Sequence, residues 1–191
     1  IGTRGGGLFR YDPKLNTFKI YEGIERNEFT FSSTTIWCLH AISADSLLVG
    51  AEGEGLILMN TKKETFERIR LEKGTTIEGI DYSVIKDIYG DKQKNIWLAT
   101  ESGGLWQTNT AFSKVKNFSI KDGLHSMKIE QVIADDLGQV WLNTNLGLEV
   151  IDPIKKRFVY YSAKDGLNNF LQDFLIKKSN SDMLLLDFNG L

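Results

Sequence analysis

Apolar residues in this chain fall in short runs separated by clusters of Gly, Asn, Asp and Ser. Five times such a run gives way to a turn ending in Gly-Leu: Gly7-Leu8, Gly55-Leu56, Gly104-Leu105, Gly147-Leu148 and Gly190-Leu191. The successive leucines stand 48, 49, 43 and 43 residues apart. A period of roughly 40–50 residues is the mark of an array in which no unit can bury its apolar face alone.

The third unit shows the plan most plainly. Val84 to Tyr89 reads as a strand, Gly90 to Asn95 as a polar turn, Ile96 to Thr100 as a second strand, Leu105 to Thr108 as a third and Val115 to Phe118 as a fourth. The fourth unit repeats it with Ile129 to Ile133, Val140 to Thr144, Leu148 to Ile151 and Phe158 to Tyr161, and aligns Trp97 with Trp141. Leu48 and Leu184 hold that register in weaker copies. Short apolar runs bounded by turn residues are strand and hairpin signals. No stretch keeps a helical period over ten residues, although Ile24 to Phe31 is ambiguous. Four short antiparallel strands per period with a recurring aromatic predict an all-β β-propeller of four-stranded blades. The period is too long, and the asparagine ladder missing, for a leucine-rich solenoid.

Two positions strengthen the repeat. Pro13 and Pro153, the only prolines, each lie five residues past a Gly-Leu leucine, where preset φ and a missing donor suit a turn between third and fourth strands. Phe18, Phe66 and Phe158 each lie ten residues past theirs. The chain opens at Ile1-Gly2-Thr3 in second-strand register and stops at Gly190-Leu191, so it is expected to be a fragment of about four blades. The units are a partial blade at 1–34, blades at 35–82, 83–128 and 129–169, and a partial blade at 170–191. An arc of a larger wheel is the expectation; closure of the partial units into a four-blade ring is the alternative.

With 191 residues and 41% apolar content the chain can bury a substantial core. A formal charge of −2 with interspersed signs gives no basic stripe for nucleic acid. No run of 18 apolar residues is present, so no membrane insertion by this segment is expected. Cys38 reads as a small core residue and excludes an internal disulfide.

Reactive chemistry is sparse. His40 and His125 lie in different units; His40 reads as structural, and no metal site, cofactor or catalytic residue is expected. Thr3-Arg4-Gly5-Gly6-Gly7 is a turn rather than a phosphate cradle, because the equivalent positions read Glu52-Gly53-Glu54-Gly55 and Ser102-Gly103-Gly104 and no helix follows. Asp135-Asp136 falls in a repeat turn. Asp136-x-Gly138-x-x-Trp141 resembles the Asp-box turn of sialidases, in which the aspartate caps the turn and the tryptophan packs beneath it.

Binding is expected on the rim shared by the loops between second and third strands and the linkers between blades. The linkers span 22–34, 72–82, 121–128 and 163–169. The candidate ligand contacts are Arg4, Glu52, Glu54, Glu101, Ser102, His125, Lys128, Asn143, Asn145, Asn168 and Asn169, with Phe170 as a flanking aromatic. Amides and carboxylates beside aromatic surfaces suit a polar ligand such as a sugar.

The segment Asp135-Asp136-Leu137-Gly138-Gln139-Val140-Trp141-Leu142-Asn143-Thr144-Asn145-Leu146-Gly147-Leu148 resembles the two-component regulator propeller repeat. Asn95 to Leu105 and Ile1 to Pro13 match it as well, and Lys121-Asp122-Gly123-Leu124 and Lys164-Asp165-Gly166-Leu167 resemble its linker. The second unit departs, with Ser46 to Ala51 replacing the tryptophan core. Asp182 to Leu191 resembles the last repeat before an immunoglobulin-like domain. The resemblance implies a periplasmic sensor propeller of a membrane-anchored hybrid histidine kinase, recognising an oligosaccharide released from complex carbohydrate and relaying it to absent kinase domains. Implied partners are the oligosaccharide, the rest of the parent propeller, and other copies through exposed blade edges. A propeller lyase or glycosidase and a protein-interaction scaffold are the alternatives. The repeat motif is structural and assigns no ligand residue.

Overall fold

The computed structural model describes residues 1–21, 24–26, 29–71, 84–167, 174–178 and 182–186. The first sheet contains β1 (Gly2–Thr3), β2 (Gly7–Asp12) and β3 (Thr17–Tyr21). A small hairpin of β4 (Ile24–Arg26) and β5 (Phe29–Phe31) follows, so the described residues of the ambiguous stretch are strand. The second sheet is β6 (Ile36–Ser43), β7 (Ser46–Ala51), β8 (Gly55–Asn60) and β9 (Thr65–Ile69). The third is β10 (Ile85–Gly90), β11 (Asn95–Thr100), β12 (Leu105–Asn109) and β13 (Val115–Phe118). The fourth is β14 (Ile129–Ala134), β15 (Val140–Thr144), β16 (Leu148–Asp152) and β17 (Arg157–Tyr161), and β18 (Phe174–Lys177) pairs with β19 (Met183–Leu186). Each sheet is an antiparallel meander, and β6, β10, β14 and β18 lie side by side as the inner strands. The chain is all-β and forms a partial β-propeller.

Alternation sends successive residues of a strand to opposite faces of its sheet, and here both faces are buried. In β11, Ile96 and Leu98 pack toward the second sheet, with Ile85, Leu48 and Leu56. Trp97 and Ala99 pack toward the fourth, with Val132, Val140 and Leu142. Strands buried on both sides need unbroken apolar runs, which is why Ile-Trp-Leu-Ala is written without polar interruption. Trp97 is 1% exposed, whereas the equivalent Trp141 is half-buried because it faces the two-stranded β18–β19 sheet.

The turns repeat their chemistry. Asp12, Asn60, Asn109 and Asp152 close the four third-to-fourth-strand turns, each accepting two backbone N–H bonds on Oδ1. Pro13 and Pro153 follow the two aspartates. Tyr11, Met59 and Ile151 face Phe18, Phe66 and Phe158 across these hairpins, so the three phenylalanines share one register. At the other rim Thr3, Thr100 and Thr144 donate to the carbonyls of Gly7, Gly104 and Gly147 at 2.7–2.9 Å. Gly104 has φ +71°, and a Cβ there would lie 2.4 Å from the carbonyl oxygen of Phe118, so only glycine fits.

The Asp-Gly-Leu linkers form single 3-10 turns at Ile120–Asp122 and Ala163–Asp165. Asp122 and Asp165 each accept the backbone N–H of the preceding Ser119 or Ser162 at 2.9 Å. The indole N–H groups of Trp97 and Trp141 donate to Asp91 and Asp135 at 2.8 and 3.0 Å. The turn-capping aspartate is therefore Asp135, not Asp136: Asp135 also accepts from the amides of Leu137 and Gln139. Asp136 points outward to Lys92 and Lys177, at 2.8 and 2.7 Å.

Candidate functional site

Linkers and second-to-third-strand loops are laced together at one rim. Glu52 N–H donates to the Thr35 carbonyl at 3.0 Å, Glu101 N–H to Val84 at 3.1 Å, and Gly104 N–H to Met127 at 2.9 Å. These bonds tether the second-to-third-strand loops to the segments that enter the next blade.

The centre of this rim is a feature of the inner strands. Where a linker enters β6, β10 or β14 the pairing register slips by one residue, between Ile36 and Cys38, Ile85 and Asp87, and Ile129 and Gln131. A bulge of this kind leaves one residue unpaired and re-aims its side chain. The three bulged residues are Trp37, Lys86 and Glu130, one from each sheet. Their side chains meet: Lys86 Nζ is 3.5 Å from the Trp37 ring centre and 3.2 Å from Glu130 Oε2.

The flanking loops extend this row. Glu101 lies 3.5 Å from Lys86 and accepts a 2.6 Å hydrogen bond from Lys128, which also reaches Glu130 at 3.3 Å. Arg4 brings its guanidinium carbon to 5.1 Å from the Trp37 ring centre. Burial would raise the Glu101 carboxyl, but Lys128 and then Lys86 outweigh it and hold it below the ordinary value. The hydrogen bond to Glu101 correspondingly raises Lys128. A mixed ionic row thus runs from Arg4 through Trp37 and Lys86 to Glu101, Glu130 and Lys128.

Of the expected contacts, this row gathers Arg4, Glu101 and Lys128. His125 and Asn145 form a second group. The His125 ring stacks on Tyr160 at 4.5 Å, and its Nδ1 lies 3.1 Å from Oε1 of Glu149. Glu149 also accepts the His125 backbone N–H, and burial raises its carboxyl even though those contacts lower it. Ser126 donates to Asn145 at 2.6 Å. Glu54 accepts the backbone N–H and hydroxyl of Ser32, both at 2.9 Å, and so anchors a linker. Asn143 is buried, with 3% exposure, while Glu52 and Ser102 are exposed. Asn168, Asn169 and Phe170 lie outside the described residues, as do the 72–82 linker and the Gly190-Leu191 pair. His40, on β6, lines a cleft of about 490 Å³ with Asp91, Lys94 and Thr110 at the opposite rim, and burial lowers its pKa. Among the described residues no group of three His, Cys, Asp or Glu could hold a metal ion.

Sequence reasoning missed Trp37, Lys86, Glu130 and Glu149. A one-residue register slip has no composition of its own. The signal was present in the aligned repeats: Ile36, Ile85 and Ile129 are invariant between units, and the next residue is Trp, Lys or Glu.

No protein-family model matches the chain, and no curated protein matches it. Solved structures do. The extracellular domain of BT4673 from B. thetaiotaomicron, described as a hybrid two component system, superposes with a TM-score of 0.77 at 19% identity, over 95% of this chain and 26% of that one. The extracellular domain of BT3049, described likewise, gives 0.72 at 14% identity, over 98% and 25%. The WD40 β-propeller domain of Doa1 gives 0.59 at 11% identity, over 79% and 47%. These likenesses establish the propeller fold. The chain spans about a quarter of the length of the two extracellular domains.

Proposed function

We propose that this chain is part of the ligand-recognising propeller of an extracytoplasmic sensor in a hybrid two-component system. A carbohydrate held at the bulge rim is its signal, and a kinase across the membrane is its output. One observation carries the reading. Several positions that serve the fold repeat their chemistry: the isoleucine before each bulge, the capping Asx and, in three of the four sheets, the rim threonine. The bulge position does not, yet its three side chains converge with Arg4, Glu101 and Lys128. Variation at a structurally fixed place, concentrated at one rim, is what a binding surface on a repeat scaffold requires. The likeness to two extracellular sensor domains supports the cellular setting. Ligand would act by favouring one arrangement of the receptor, since only differential affinity shifts such an equilibrium.

Within the ionic row, Glu101 is poorly suited to the general-acid step of glycoside cleavage. That step needs one carboxyl kept protonated as general acid, whereas Glu101 is held below its ordinary value and shares its lysines with Glu130. The segment is read as a non-catalytic sensor element. The test is calorimetry of the full-length protein against a panel of glycan fragments, with Trp37→Ala and Lys86→Ala. Binding that weakens in both variants supports the reading; silence across the panel, or affinity indifferent to both changes, overturns it.

A further inference from the structure

We infer that the saccharide recognised at this rim carries an anionic group, a carboxylate or sulfate, and that Arg4 is the residue that receives it. The inference rests on the reading of the rim as a saccharide site and deepens it.

Three cations and two carboxylates make up the row. Lys86 and Lys128 are each bridged to both Glu101 and Glu130, at distances from 2.6 to 3.5 Å. Arg4 is not neutralised in this way: among the described residues no carboxylate lies within 4.0 Å of its guanidinium, whose partner is the Trp37 ring. Among the described residues the row therefore carries one positive charge with no carboxylate partner, at a known place.

That charge is also well positioned. The Arg4 backbone bridges Thr35, and the amides of Gly5 and Gly7 both donate to the Thr34 carbonyl, at 2.9 and 2.7 Å. The loop is thus tied to the strand that carries Trp37. Arg4 occupies the first loop position after the strand, where the other sheets have Glu52, Glu101 and Asn145, so a cation there is peculiar to this blade. Indole beside the guanidinium removes part of its water, and the planar fork can donate two N–H bonds to two oxygens of one carboxylate or sulfate at once. A neutral saccharide would leave this charge unanswered.

The experiment titrates the full-length protein with two oligosaccharide series of the same linkage, one neutral and one bearing uronate or sulfate groups. The acidic series should bind, weaken about 10- to 100-fold in Arg4→Gln, and weaken as salt rises. Lys92→Gln, a charge change at the opposite rim, should leave affinity unaltered. Thermal unfolding of Arg4→Gln confirms that the variant is folded. Equal or tighter binding of the neutral series, or undiminished acidic binding by Arg4→Gln, overturns the inference while leaving the saccharide reading intact. Absence of binding in both series overturns both.

Discussion

The ammonium of Lys86 sits 3.5 Å from the centre of the Trp37 ring, and each residue is the unpaired member of a bulge in its own sheet. The contact joins two blades through side chains that neither blade needs for its own strand pairing. Lys86 is only 12% exposed, so its charge is answered by the ring and by Glu101 and Glu130 more than by water.

A double-mutant cycle between Trp37→Ala and Lys86→Met, read by urea unfolding, should give a coupling energy of about 0.5–2 kcal/mol. Additive effects would show that the contact is geometric without being energetic.

The capping assignment separates two adjacent aspartates. Asp135→Ala removes the acceptor of two turn amides and of the Trp141 indole. It should cost about 1–3 kcal/mol in chemical denaturation. Asp136→Ala removes the ion pairs to Lys92 and Lys177 and leaves the turn's amide acceptor in place, so it should cost under about 1 kcal/mol. The reverse order would reinstate Asp136 as the structural residue.

Two glycines with positive φ make a matched pair. Gly138 has φ +81° and open space around its virtual Cβ, whereas at Gly104 the Cβ would strike the Phe118 carbonyl. Gly138→Ala should cost about 1–2 kcal/mol from backbone conformation alone. Gly104→Ala should cost clearly more, visible as a larger drop in Tm.

Glu149 gives a pH signature. Burial raises its carboxyl above the ordinary 4.5, so just above that pH the folded state keeps a proton that the unfolded chain has lost. Stability must fall as pH rises through this interval. Urea midpoints measured upward from pH 4.5 should decline less steeply in Glu149→Gln than in the parent. An unchanged slope would show that Glu149 does not titrate there.

Much of the fold was legible because repetition supplies internal controls. Two prolines and three phenylalanines at fixed distances from a leucine mark the turn and the fourth strand of one recurring hairpin. Part of the candidate site was legible for the same reason: loops that share a rim share a surface, which makes Arg4, Glu101 and Lys128 candidates from the sequence alone. Trp37 was hidden in the apolar run Ile36-Trp37-Cys38-Leu39, where nothing distinguishes a core residue from one turned out by a bulge. Glu149 was hidden because it stands where Trp106 and Ile57 stand in the neighbouring sheets, and only coordinates show His125 beside it.

The residue after each bulge crosses to the next sheet. Cys38 donates to the Ile85 carbonyl at 3.7 Å, and Asp87 accepts the Val132 N–H at 3.0 Å. Gln131 bonds both the N–H and the carbonyl of Leu175, at 2.7 and 2.8 Å. Gln131→Ala should therefore speed hydrogen exchange at the Leu175 amide and leave that of Val132 unchanged. Equal protection at Leu175 would mean that the clip is dispensable.

Look-alike repeats invite a sheet to settle beside the wrong neighbour or to trade places with its counterpart in another molecule. A thiol, a carboxylate and a carboxamide at three otherwise interchangeable seams give each junction its own password. Each edge thus meets the backbone of its successor with a different set of donors and acceptors, so neighbouring blades differ at their edges as well as by their place in the covalent chain.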